Sequence, residues 1–259
     1  MSYLVFTVLL LALLAAGYKW QLWRLPRKGL LCLMYHHIGP MPPKNDIQYT
    51  FTILPEKFER HLDMLQKKGF TSVGLAELRA AKKTGKRLPK KPFLLTFDDG
   101  TDDSFTTLFP ILQKRRLKAL IFLVTDFIGK EPGYLTWDQV RQMQQSGLVD
   151  FGSHTASHAR LRDLSDEKIL QELTRSKQEI ESQLHTPCDS FCYPFGSGSK
   201  HPRVRALVFQ AGYEFDFGTR RGINPWPWKG KKTILRTFPR SEENMLDFYI
   251  QITRGKSKF

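Results

Sequence analysis

The chain has 259 residues, 41% of them apolar and 25% charged, which excludes a disordered or fibrous protein and leaves enough length to bury a sizeable core. Its formal net charge is +15, and a basic surface draws acidic partners. Lys and Arg are spread along the sequence without a nucleic-acid motif, so nucleic acid is not an expected partner. Cys32, Cys188 and Cys192 cannot all pair within one chain. They read as small buried apolar residues, with a Cys188–Cys192 pair as the alternative.

The N-terminal segment is an apolar run from Tyr3 to Ala16, broken only by Thr7. The strictly apolar core is short for a full span, and Tyr18 and Trp20 extend it with residues that favour a membrane interface; Trp23 follows, and Lys19, Arg24, Arg27 and Lys28 give it a basic flank. Residues 1–28 are therefore expected to form an uncleaved membrane helix, anchoring the chain at the inner membrane within the cell envelope. A signal peptide cleaved near Ala15-Ala16-Gly17 is the rival, but no Lys or Arg precedes the run. The basic flank predicts that the rest of the chain faces the cytoplasm; an exported domain would face the other way, and both topologies stay open.

Residues 29–259 read as one domain. Leu30–Tyr35 is a short strand, and residues 40–53 form a Pro-rich loop. Pro55–Lys68 is a helix with Phe58, Leu62 and Leu65 on one face, followed by a shorter helix at Leu75–Ala81 and a basic linker over 82–92. Phe93–Phe97 is a buried strand, Asp103–Arg115 a helix that contains Pro110, and Ala119–Val124 a further buried strand. Thr136 and Ser165 read as caps of helices that run to Ser146 and Leu184, with the strand Val149–Gly152 between them. Then come strand Phe191–Tyr193, helix Pro202–Gln210, strand Tyr213–Phe217, strand Thr233–Phe238 and helix Ser241–Ile250. This alternation predicts an α/β fold with a parallel sheet, and an open doubly wound sheet or a closed barrel fits it equally. In either case, sites form at the C-terminal ends of the strands.

The polar residues of interest lie at such ends. Asp98 and Asp99, within Thr96-Phe97-Asp98-Asp99-Gly100, are adjacent carboxylates that repel unless a positive group such as a metal ion sits beside them; an exposed acidic turn is the alternative. His154 and His158 follow another strand, and on a helical turn that spacing would put both imidazoles on one face. Two His and one carboxylate form a familiar ligand set for zinc, cobalt, nickel or iron; two surface histidines are the alternative. His36 and His37 follow the first strand. Trp226 and Trp228, in the loop Gly222–Trp228, suit a sugar-stacking platform or simple packing at the rim. Arg220 or Arg221 could meet an anionic group of a ligand or be an ordinary surface charge.

The sequence resembles the polysaccharide deacetylase family, the NodB-homology or carbohydrate esterase family 4 group, over roughly Leu30 to Phe238. Thr96 to Gly100 matches its TFDDG motif, His154 to His158 its H-S/T-x-x-H motif, and Tyr193-Pro194-Phe195-Gly196 the end of its third motif. The resemblance implies a distorted, incomplete (β/α) barrel. It also implies Asp98 as general base, with Asp99, His154 and His158 as ligands of one divalent metal, zinc first. Cys192 stands where the third motif usually has an Arg that orients the base, and no His occurs near Ile234-Leu235-Arg236-Thr237, where the usual general acid is found. Leu33-Met34-Tyr35-His36 is similar to an element of the poly-β-1,6-N-acetylglucosamine deacetylase subgroup, which implies His36 as the acid. A backbone N–H near Tyr193 would serve the oxyanion, and Tyr193, Phe195, Trp226 and Trp228 would meet substrate. The activity implied is metal-dependent N-deacetylation of a sugar in a cell-envelope polysaccharide. A deacetylase or deformylase acting on a lipid-linked or lipopolysaccharide sugar is one alternative, and an inactive glycan-binding module is another. The expected partners are an acetylated glycan or glycolipid and the membrane.

Overall fold

Alternation with a period of two residues organises the barrel in the computed structural model, which describes residues 2–19, 25–227 and 232–257. In strand β1 (Leu31–Tyr35), Leu31, Leu33 and Tyr35 face the surrounding helices, whereas Cys32, together with Leu30 just before the strand, faces the barrel interior. Strands β2 (His37–Ile38) and β3 (Thr52–Ile53) pair with each other as a separate small parallel sheet. Helix α2 (Pro55–Lys67) buries Phe58, Leu62 and Leu65. Strand β4 (Thr71–Ser72) pairs with the start of β5 (Pro92–Phe97), and α3 (Leu75–Thr84) lies between them in sequence. In β5, Phe93, Leu95 and Phe97 join the helix-side core and Leu94 the interior, so Thr96 and Asp98 continue the interior face.

The remaining β/α units follow in order. Helix α4 (Phe109–Arg115) precedes β6 (Ala119–Leu123), α5 (Trp137–Gln145) precedes β7 (Val149–Ser153), and α6 (Asp166–Leu184) precedes β8 (Ser190–Cys192). Helix α7 (Pro202–Gln210) then leads to β9 (Phe215–Phe217), and α8 (Met245–Arg254) ends the chain's regular structure. The strands pair in parallel in the order β1-β5-β6-β7-β8-β9, with β4 on β5. Thr136 caps α5 by accepting from Gln139 N–H, and Ser165 caps α6 by accepting from Lys168 N–H.

Closure of the barrel differs from the expected last strand. Residues 233–238 form only two isolated parallel bridges, Ile234 to Phe217 and Thr237 to Leu33, which link β9 to β1. Ile234 N–H donates to Asp216 O and Thr237 N–H to Cys32 O, while Arg236 N–H donates sideways to Arg220 O. The segment thus shares its hydrogen bonds among three neighbours instead of making one continuous ladder. The result is a distorted, incomplete (β/α) barrel. Other differences are local. Residues 104–108 form a wide π turn ahead of α4, which places Pro110, lacking an N–H, in the first turn of that helix. The last helix begins at Met245, where Asn244 caps it, four residues later than its polar pattern predicted. All three cysteines are free and buried.

The predicted membrane helix is overturned. Helix α1 (Ser2–Lys19) has 18 residues, or about 27 Å at 1.5 Å per residue, and its apolar part covers less. A bilayer's hydrocarbon core is about 30 Å thick. Among the described residues no helix is long and apolar enough to cross a membrane. Trp20, which extends the run in the sequence, lies outside the described residues, as does Trp23. The transmembrane segment, the membrane as a partner and inner-membrane anchoring therefore have no support.

A buried histidine in the helix layer makes stability depend on pH. His61 of α2 is 1% exposed, stacks on Phe248 at 3.9 Å, and its Nδ1 lies 3.1 Å from Tyr35 Oη. Burial first, then the charges of Lys57 and Arg60, push its pKa down to about 3 from 6.5. The unfolded chain binds this proton more readily, so the stabilisation from neutral His61 is complete above pH 6.5 and declines as pH falls toward 3. Urea unfolding of the wild type and His61→Gln between pH 7.5 and 5 is expected to show a flatter pH dependence for the variant; parallel curves would contradict the assignment.

Candidate active site

Every strand of a parallel barrel ends at the same rim, and β1, β5, β7 and β8 deliver His36, Asp98-Asp99, His154 and Tyr193 there. These residues, with His158 and Phe195, line one cavity of about 470 Å³. Asp98 lies on the interior face and is 3% exposed. Asp99 has φ +76°, and Gly100 follows at +79°, where an added Cβ would meet the Leu123 side chain at 2.8 Å. This pair of left-handed residues turns the Asp99 carboxylate toward the histidines and brings the chain back against β6.

The two histidines do not share a helical face. Thr155 has φ +67° and His158 +62°, so the intervening residues fold as an irregular loop. Glu172 of α6 holds that loop: its carboxylate accepts from Ala156 N–H at 3.1 Å, Ser157 N–H at 2.9 Å and Ser157 Oγ at 2.9 Å. His154 Nδ1 lies 2.8 Å from the Cys192 carbonyl and donates to it, which leaves the Nε2 lone pair facing the cavity.

His154 Nε2 stands 3.5 Å, and His158 Nε2 3.3 Å, from Asp99 Oδ1. That oxygen is buried and accepts no hydrogen bond. A buried oxygen without a donor, faced by two imidazole nitrogens, is the arrangement that a divalent cation completes, so the residues fit a metal. Burial works to raise the Asp99 pKa, but the adjacent His158 and the nearby His154 and His36 imidazoles outweigh it and hold the carboxyl well below the usual range. Burial pushes His154 down to about 4, so its imidazole is in the neutral form that a metal requires.

Asp98, His154 and Cys192 also lie close enough together to be considered as a ligand set. The chemistry favours the Asp99 set. Asp98 is committed to Arg236, whose Nη1 and Nη2 donate to its two oxygens at 2.6 and 2.8 Å. Cys192 Sγ lies 3.0 Å from Arg236 Nη2, and burial lifts its thiol far above the ordinary range, so it stays protonated.

Arg236 is the residue that the sequence reading missed. It is fully buried in the barrel, donates through Nε to Gly218 O at 2.9 Å and reaches Thr96 Oγ1 at 3.2 Å. Burial alone would raise the Asp98 pKa; the Arg236 charge and hydrogen bonds reverse that and keep Asp98 ionised. The guanidinium thus supplies beside Asp98 the positive charge that Cys192 lacks.

His36 Nε2 faces Asp98 Oδ2 at 3.9 Å, and its ring packs between Phe51 and Phe238. Burial lowers its pKa, against the pull of Asp98 and Asp99. His37 turns the other way, toward Asp103 at 3.5 Å, and lines a different hollow. Tyr193 lines the cavity and its hydroxyl donates to Asp216 at 3.0 Å; its N–H donates to Phe217 O at 3.3 Å, a long bond that an oxyanion would have to share. Phe195, 54% exposed, stands at the mouth against His158 and beneath Arg160. Trp226 is not brought to the site: it packs beside Gly29, Lys86 and Leu88 in a separate hollow. Trp228 lies outside the described residues.

Metal-assisted hydrolysis asks a protein for ligands that hold the ion and for a base beside it, and this rim supplies both in a (β/α) barrel; the class is that of a metal-dependent hydrolase. Residues 85–215, half of the chain, match the family model described as polysaccharide deacetylase, and the chain belongs to that family. A Bacillus subtilis (strain 168) relative, YxkH, is 29% identical over 191 residues, 73% of this chain and 64% of that protein. The poly-β-1,6-N-acetyl-D-glucosamine N-deacetylase of Staphylococcus aureus (strain MSSA476) is 23% identical over 209 residues, 72% of each chain. The solved structure of the Streptococcus pyogenes deacetylase PplD in complex with acetate superposes with a TM-score of 0.75 at 26% identity, covering 84% of this chain and 94% of that one.

Proposed function

We propose that this protein removes the acetyl group from an N-acetylated sugar of a polysaccharide by hydrolysis. The observation that carries the proposal is the convergence of Asp99, His154 and His158 within reach of one ion, beside the Arg236-clamped carboxylate of Asp98. The poly-β-1,6-N-acetyl-D-glucosamine specificity named for the Staphylococcus relative, and the acetate bound by the Streptococcus enzyme, support an acetylated amino sugar as substrate.

Asp99, His154 and His158 would hold one divalent cation, with zinc suited to the N₂O donor set and cobalt, nickel or iron also accommodated. Such an ion supplies Lewis acidity toward the acetyl oxygen and the attacking water. The chain's own groups do the proton work. Asp98 accepts the water proton as its oxygen attacks the acetyl carbon, and Arg236 keeps Asp98 oriented and ionised. His36 gives a proton to the amine nitrogen as the C–N bond breaks, since an amine leaves poorly until it is protonated. Its depressed pKa makes the protonated imidazole the stronger acid. The proton held on Asp98 can then return to His36 across the 3.9 Å gap through one water. Phe195 offers an exposed ring on which a sugar can stack.

The test is elemental analysis with an acetate-release assay on chitooligosaccharides and on poly-β-1,6-N-acetylglucosamine. Wild-type protein loaded with zinc is expected to retain one equivalent and to release acetate. His154→Ala is expected to lose ion and activity together. A His154→Ala protein that keeps its full equivalent would remove His154 from the site.

A further inference from the structure

Two arginines line the active-site cavity with no carboxylate in salt-bridge contact among the described residues. Arg221, on the segment after β9, and Arg240, at the rim, share the cavity wall with His36 and Asp98. Among the described residues neither forms an ion pair with a carboxylate; the ion pairs of this region belong to Asp98 and Asp99. Arg221 is half-buried, and its Nη2 is fully covered and donates to nothing. Leaving a guanidinium N–H buried and unpaired is costly, and native structures seldom carry one without a reason.

Glu243, the acid whose charge acts on Arg221, does not supply that reason. Glu243 is felt by Arg221 only at a distance, and its Oε2 already accepts from Arg240 N–H and Gln251 Nε2. Burial outweighs the attraction of Glu243 and, with the like charge of Arg240, works against the Arg221 charge, so the fold carries this cation at a cost. Elsewhere in the cavity each carboxylate already has its cation. Asp98 is matched by Arg236, and Asp99 faces the metal position. The stacked rings of Phe51 and Phe238, which share the wall, keep the surroundings apolar and strengthen any ion pair formed there.

We infer that Arg221 and Arg240 form an anion-binding subsite of the catalytic cavity, and that the acetylated sugar this protein takes carries a phosphate or carboxylate group. The inference rests on the deacetylase reading above and narrows its substrate class from acetylated sugars in general to anionic ones. Arg221 reads the anion from inside the cavity, and Arg240 draws it in from the rim. A guanidinium suits either oxyanion, because its parallel N–H groups match two oxygens at once.

Isothermal titration of the zinc-loaded full chain with three sugars tests it: N-acetylglucosamine 1-phosphate, N-acetylmuramic acid and neutral N-acetylglucosamine. At least one anionic sugar is expected to bind about 10- to 100-fold tighter than the neutral one, the worth of a hydrogen-bonded ion pair. Whichever anionic sugar shows the gain identifies phosphate or carboxylate as the recognised group. The preference is expected to collapse in Arg221→Gln, to survive in part in Arg221→Lys, and to fall less in Arg240→Gln, whose exposed position makes it the folding-neutral second variant. Equal or undetectable affinity for all three sugars would overturn the inference. So would an anion preference that persists in both glutamine variants, since the metal alone would then be its source. Acetate release from the same sugars is followed in parallel. Release from neutral and anionic sugars alike, without an affinity difference, rejects the subsite and keeps the deacetylase. An Arg-dependent binding preference without release from any of them keeps the subsite and rejects the deacetylase reading for these sugars.

Discussion

Arg236→Leu is expected to unfold more easily than the wild type by about 3–5 kcal/mol and to lose deacetylase activity. The reason is asymmetry. The wild-type pair is a bidentate bridge between two fully desolvated groups, so its net worth against an apolar pair is small. Removing only the cation leaves a deeply buried Asp98 without its two-pronged partner, and that is where the cost arises. Burial would then dominate the Asp98 pKa and raise it, whereas in the wild type Arg236 holds it down. A base that must be ionised would therefore need a higher pH to work, and the acid limb of any residual activity should move upward. Arg236→Lys restores charge without the two-pronged geometry and should recover stability more than activity. Denaturant unfolding with a pH–rate profile reads both effects. An Arg236→Leu protein with an unchanged midpoint and an unmoved acid limb would show that Asp98 does not depend on it.

His36→Ala should leave metal content at the wild-type level and slow amide hydrolysis by about 10²–10⁴-fold, the usual worth of a positioned proton donor. His36 is the imidazole that looks across the cavity at Asp98. An activated acetyl ester, whose leaving group needs no proton, should suffer much less. His37→Ala should be mild on both substrates, because His37 points away to Asp103 and another hollow. Parallel turnover assays of the two alanine variants on amide and ester decide this. Near-normal amide turnover by the His36 variant would take it out of the mechanism.

Much of this arrangement is legible in the sequence, for reasons that differ by residue. The strand–helix alternation shows because buried strands and amphipathic helices carry different periods, and the Asp98-Asp99 and His154/His158 pairs show because each lies just past a strand. How His154 and His158 meet does not show: the sequence suggests a helical turn, and the structure uses two left-handed residues with Glu172 as a clasp, 14 positions beyond His158. Arg236 was hidden for a similar reason, since 138 residues separate it from Asp98 and its neighbours read as an ordinary strand. The signal was present in negative form. A buried carboxylate must have a positive partner, Cys192 carries no positive charge, and an Arg at an interior-facing position of the closing segment was the available candidate. Trp226 misled because an aromatic loop reads alike whether it lies at the catalytic rim or, as here, in another hollow. The N-terminal run misled because its short apolar core comes near spanning length only with interfacial residues such as Tyr18 and Trp20, and no described helix is long and apolar enough to cross.

The most direct test of the central claim, that this rim is a metal-dependent deacetylase site, is acetate release from an N-acetylglucosamine oligomer measured against added zinc. The release rate is expected to rise to a plateau at one equivalent of zinc, to vanish with a chelator and to return on reloading. Asp98→Asn is expected to keep the zinc and release almost no acetate. A protein that binds one zinc in the Asp99–His154–His158 site and yet releases no acetate from any N-acetylated sugar, or whose release is indifferent to the chelator, would contradict it.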